Sequence, residues 1–304
     1  MKKLKLSFLA LAGILFGCQQ AELADPSDMG GQPMKSVTLS AEMGAEDTKA
    51  AIDSQTGEFS WQAGDVISVL ATDGKFYDFT LLKGNGDWKA EFKGSIPEAA
   101  EITTVAAFPA FAANGTENTS LDGTTFKYFL PTEWTWERES SNVPMVATFA
   151  EASSQMSFKQ VGGVMRFPVK NMPYQGSFVL SMVDTKFTGE FPIDLTKLGE
   201  TAMVAENLSA PATPAPATKA DGFKDVEIEV VPDAYTETLT IHYNSDVDGD
   251  LVEFNVPVPT GVYTNFNIEI RDNNGVALFK KHYVLDNVVE RATLLNMSDR
   301  KSVV

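Results

Sequence analysis

Cys18 is the residue whose surroundings most narrowly dictate a chemistry. It is the only cysteine in the 304-residue chain and closes the tetrapeptide Leu15-Phe16-Gly17-Cys18. Ahead of it, Lys2, Lys3 and Lys5 form a positive n-region, followed by an apolar run over residues 6–16. About a dozen apolar residues are too few for a membrane-crossing helix but suit the h-region of an export signal. The junction matches the bacterial lipobox, which predicts diacylation of Cys18 as the new N-terminus. A lone cysteine in an exported chain has no intramolecular disulfide partner, so accepting lipid is its natural chemistry.

Other chemistry is sparse. Only His242 and His282 could act as imidazole bases or metal ligands, and neither has a partner at metal-ligand spacing. No Gly-x-Ser-x-Gly elbow accompanies them, so both read as solvated surface residues and no catalytic activity is expected. With 41 acidic residues a carboxylate pair can always be found, and nothing selects one. The run Asn244-Ser-Asp246-Val-Asp248-Gly249-Asp250 begins like a calcium loop, D-x-D-x-D-G. The position that should supply a bidentate glutamate is Asn255, and Glu253 falls two residues early. A solvated turn between strands is the plainer reading of residues 244–250. No cofactor and no resident metal are expected.

Tryptophans offer a different chemistry. Trp134 and Trp136 stand at i and i+2, so on a strand both rings face one way. Two such indoles, with Trp88 as a further candidate, could form a sugar platform, or they could cap a core as large aromatics do. Trp61, in Phe59-Ser-Trp61-Gln-Ala-Gly64-Asp65, is expected to pack under the turn made by Gly64.

The elements that must position these residues are strands. Val37, Leu39, Ala41 and Met43 alternate with Ser36, Thr38, Ser40 and Glu42. Leu239, Ile241 and Tyr243 alternate with polar neighbours, as do Phe266, Ile268 and Ile270. Period-two patterns of this kind place one face of a strand in a core and the other in water. Asp73-Gly74 and Asn274-Gly275 predict tight hairpins of the primed two-residue type, the second with room for a longer connection. No long stretch after the signal has helical periodicity. The expected fold is all-β, with antiparallel sandwiches.

Loss of Lys2, Lys3 and Lys5 with the signal takes the net charge from -17 to -20. Such acidity excludes a phosphate-neutralising stripe, and with it nucleic acid as a partner. It also excludes electrostatic docking on anionic lipid, leaving the acyl chains as the tether. The expected organisation is a signal over residues 1–18, a polar tether over 19–34, and two β-domains over 35–154 and 155–304. The boundary is placed within ten residues of 154. The Pro/Ala-rich stretch 209–219 reads as a surface loop of the second domain.

The ordered motifs carry a resemblance. Thr48-Lys49-Ala50 followed by Trp61-Gln-Ala-Gly64-Asp65 resembles the N-terminal signature of fimbrillin-like lipoproteins of Bacteroides-type bacteria, in which Trp-x-x-Gly-Asp leads into a core strand. In family order follow Leu130-Pro131, Val143-Pro144-Met145, Gly163-Val-Met-Arg-Phe167-Pro-Val169, Pro259-Thr-Gly261-Val-Tyr263, and Arg291 before Leu294-Leu-Asn-Met297. The resemblance implies two transthyretin-like β-sandwich domains and a fimbrial subunit, anchor or cap at the outer membrane or in the fimbrium, with a role in adhesion. It implies assembly by strand exchange, in which proteolysis removes an N-terminal strand and a segment of another subunit fills the groove. Residues 36–43, with Val37, Leu39, Ala41 and Met43 facing the core, are the candidate strand. The polymerising members are cut after an arginine, and here none precedes Arg138. Lys35 and Lys49 are the candidate processing sites in its place. The implied partners are other fimbrial subunits, the membrane through acylated Cys18, and a host protein or glycan. The alternative is a glycan-binding outer-membrane lipoprotein using exposed tryptophans.

Overall fold

The computed structural model describes residues 22–23, 32–43, 60–110, 120–122, 125–136, 143–148, 155–170, 172–183, 185–197, 237–244, 251–284 and 286–297. Cys18 and residues 1–17 before it, most of residues 19–34, Lys49, the acidic run 245–250 and the stretch 209–219 lie outside these residues. Among the described residues there are strands and one 3-10 turn, Leu195–Lys197, but no α-helix.

The strands of the first half are β1 (Glu22–Leu23), β2 (Met34–Met43), β3 (Val66–Ala71), β4 (Lys75–Lys83), β5 (Lys89–Pro97) and β6 (Ile102–Phe108). They continue with β7 (Ser120–Asp122), β8 (Thr125–Leu130), β9 (Glu133–Thr135), β10 (Met145–Thr148) and β11 (Gln155–Gln160). Next come β12 (Gly163–Val169), β13 (Gln175–Met182), β14 (Gly189–Asp194), β15 (Glu237–Asn244) and β16 (Val252–Val258). The last are β17 (Gly261–Tyr263), β18 (Phe266–Asp272), β19 (Ala277–Tyr283), β20 (Asn287–Val289) and β21 (Leu294–Asn296).

The main sheet of the first half runs β4-β3-β6-β10-β11-β2-β5, and β5 pairs back to β4. Seven strands therefore close into a ring, which removes both sheet edges. This departs from the open pair of sheets anticipated for this half. Closure is a property of register, and alternation along single strands does not encode it. Leu39, Ile67, Val69, Phe79, Phe92, Phe108, Met145 and Phe158 fill the lumen. On the outer face, β8 pairs with β14 and β7, and this small sheet covers Leu70, Phe76, Val105, Ala107 and Val146.

In the second half, a β16-β12-β21 sheet and a β19-β18-β13-β15-β9 sheet share one core. Met165 and Phe167 from the first meet Phe178, Leu180, Ile241 and Ile268 from the second. Sheet membership crosses residue 154 in both directions. Strand β11 belongs to the ring, β14 pairs with β8, and β9 joins β15. The chain leaves the ring at Val161 and Gly162 and enters the second pair of sheets at Gly163. These long-range pairings leave no trace in local periodicity.

The Asp73-Gly74 hairpin is a three-residue loop, with Gly74 N–H donating to the Ala71 carbonyl at 3.0 Å and Gly74 at φ +80°. That is a type I turn with a left-handed glycine, not the two-residue primed turn expected. The Asn274-Gly275 connection is longer, and the Asp272 carboxylate accepts the N–H groups of Asn274 and Val276.

Candidate functional site

Strand β2 carries the anticipated alternation. Leu39, Ala41 and Met43 are buried in the lumen and Val37 is half-buried, while Ser36, Thr38 and Ser40 are exposed. On one side β2 pairs antiparallel with β5 from Met34↔Pro97 to Glu42↔Lys89. On the other it meets β11 only from Ser40↔Gln155 to Met43↔Phe158, and in parallel. Every other pairing around the ring is antiparallel, so the β2–β11 contact, four residues long, is the parallel seam of the barrel. Parallel pairing is slightly weaker per residue than antiparallel. Without β2, the ring would open between β5 and β11 onto an apolar groove.

Lys35 lies within β2, opposite Ile96, and its ammonium pairs with Glu101 at 2.6 Å. A cut after Lys35 leaves Val37, Leu39, Ala41 and Met43 attached to the rest of the chain, so it cannot free the strand. This corrects Lys35 as a processing site. Lys49 follows β2 in the chain and lies outside the described residues.

Trp61 is not under its turn but in the lumen, fully buried. Its indole meets Phe92, Phe108 and Phe158 edge to face, at centroid separations of 4.9, 5.3 and 5.4 Å. The backbone is pinned from outside: Trp61 N–H donates to Asp87 O, Gly86 N–H to Trp61 O, and Ala63 N–H to Asn85 Oδ1. Gly64 sits at φ +96° with open space around it, so the motif needs glycine for conformation, not for room. The Asp65 carboxylate accepts the Gln62 N–H at 2.8 Å. Burial pushes its pKa up to about 6, against the lowering effect of that hydrogen bond. The motif is thus an anchored turn that drives an indole into the barrel.

No family model matches the chain, and no curated protein matches it. It is similar to one solved structure, a "putative cell adhesion protein" from Bacteroides ovatus. The two share 11% identity over 88% of this chain and 94% of that one, with a TM-score of 0.47. A likeness at that level fixes neither family nor activity.

The C-terminal motif residues are structural. The Tyr263 hydroxyl is buried and donates to the Pro259 carbonyl at 2.6 Å, and Asn287 Nδ2 donates to the Tyr263 carbonyl. Gly261 opens β17, which pairs with β20. Arg291 reaches across to the ring, its Nη1 donating to the Gln160 carbonyl at 3.5 Å.

Trp134 and Trp136 pack half-buried against the second core. The Trp136 indole N–H donates to the Glu253 carbonyl at 3.0 Å and its ring lies against Phe254. Of the two anticipated arrangements, this is the core cap. Trp88 is exposed, with the Lys89 ammonium 4.3 Å from its ring centre. His242 is exposed and bonded to Glu133. His282 is not solvated as expected but buried, with Nδ1 2.6 Å from Asn267 Oδ1. Burial holds its pKa below the usual imidazole range. Among the described residues no three His, Cys, Asp or Glu side chains converge as a metal site.

Proposed function

We propose that this chain is a non-enzymatic, lipid-anchored cell-surface protein of fimbrillin type. It is exported, acylated at Cys18 and held on the outer membrane. It works through protein contacts as a fimbrial subunit, anchor or cap, with a role in adhesion. The observation that carries this reading is the place of β2. It is an N-terminal strand whose alternate side chains fill a core, closed on one side by only a four-residue parallel seam. A strand held in that way can leave a groove for an extended segment of another subunit, in which main-chain ladders supply affinity and alternate side chains supply fit. Transthyretin-like sandwiches are the finer fold reading in this proposal, and the two sheets on one core in the second half suit it.

The test is assembly. The chain lacking residues 1–18 is treated with a lysine-specific protease and followed by intact mass and light scattering. Loss of the segment ending at Lys49, with SDS-resistant oligomers, is expected. A chain that loses this segment yet stays monomeric would overturn strand exchange.

A further inference from the structure

We infer that the groove occupied by β2 accepts an extended segment of another subunit only if it carries a small side chain at the position of Ala41. Large apolar side chains must stand two residues to either side of it. The inference rests on the strand-exchange reading above and gives that site its selectivity.

The register places the argument. Leu39 stands opposite Phe92 of β5, and Met43 stands opposite Phe158 of β11. Phe92 and Phe158 thus flank β2 on opposite sides, in rows four residues apart. The midpoint of that diagonal on β2 is Ala41. The Trp61 indole meets both rings nearly perpendicularly, at interplanar angles of 79° and 80°. Register thus sets Ala41 between two of the three rings that the indole touches. The residue opposite Ala41 on β5 is Ala90, also buried. In the row of Phe158, across β10 and β6, stand Ala147 and Ala106, both buried. On β11 the residue opposite Ala41 is Met156, so Ala41 and Ala90 are the small pair of their row, while Leu39 with Phe92 and Met43 with Phe158 stand two residues to either side.

A branched or aromatic side chain at position 41 would enter space the indole occupies. In a packed interior such an insertion forces off-rotamer side chains or backbone shifts. Ser36, Thr38 and Ser40 of β2 are exposed and lie off the lumen. The recognition pattern is large-x-small-x-large, with the central selection made by Trp61.

The test uses the mature chain with a specific protease site introduced at residues 46–50. After cleavage, labelled peptides spanning residues 34–43 compete for the groove and are followed by anisotropy and native mass spectrometry. The native peptide and a Ser40→Val peptide are expected to exchange in alike. An Ala41→Leu peptide should bind at least about tenfold more weakly. In a Trp61→Phe chain that difference should shrink. Equal binding of the native and Ala41→Leu peptides would overturn the selectivity while leaving strand exchange standing. A difference that persists unchanged in Trp61→Phe would show that the indole is not the selector, and would overturn it too. If even the native peptide fails to enter, strand exchange itself falls and takes the inference with it.

Discussion

Asp65 and Gln62 hold each other twice. The Gln62 N–H donates to the Asp65 carboxylate at 2.8 Å, and the Asp65 N–H donates back to the Gln62 carbonyl at 3.0 Å. This clasp closes the turn that carries Trp61 into the barrel. Burial puts the carboxylate pKa near 6, above its ordinary value of 3.8. A raised carboxyl pKa means that the folded state holds its proton more tightly than the unfolded chain. The stabilisation is therefore present in full below pH 3.8 and is lost as pH rises to about 6.

Asp65→Asn should flatten that slope while keeping an oxygen for the Gln62 N–H. Between pH 4 and 7 the wild-type chain should lose about 2–3 kcal/mol that the variant does not. Denaturant unfolding at four pH values measures the difference. Asp78, also raised by burial, contributes equally to both chains, so it cancels.

Trp61→Ala empties the lumen between Phe92, Phe108 and Phe158. A cost of about 3–5 kcal/mol is expected, from lost burial and from the cavity left behind. Trp61→Phe should cost less. Guanidinium unfolding of the three chains tests the order.

Tyr263→Phe removes one buried hydroxyl and leaves the Pro259 carbonyl without that donor. The expected loss is about 1 kcal/mol, with the fold intact by circular dichroism. A neutral outcome would mean that the carbonyl finds another donor.

His282 should behave oppositely to Asp65. Its lowered pKa means that burial favours the neutral ring, so its stabilisation is present above about pH 6.5 and is lost as pH falls below it. By NMR the His282 ring should take up its proton at a lower pH than a free imidazole, and a His282→Gln chain should lack this acid-dependent loss.

The bond after Lys35 should resist a lysine-specific protease in the native chain. It lies in a strand paired with β5, and the Lys35 side chain is tied to Glu101. Limited proteolysis with mass readout checks this, and early cleavage there would mean that the first residues of β2 fray from β5.

Alternation alone determined much of this protein. Val37, Leu39, Ala41 and Met43, or Phe266, Ile268 and Ile270, announce strands with one wet face because side chains on a strand must alternate. The lipobox-like tetrapeptide ending at Cys18 and the scarcity of histidine are equally local properties. Only the tertiary structure decided that the first sheet closes into a ring, since the β4–β5 and β2–β11 contacts join segments whose individual patterns permit other partners. It alone placed Trp61 in the lumen, buried His282 beside Asn267, and put Lys35 inside the strand it was expected to release. The small residue at Ala41 is visible in the sequence, but its meaning is not. That alanine stands between Phe92 and Phe158, two rings that Trp61 touches, only because of register, and register is set by the whole barrel.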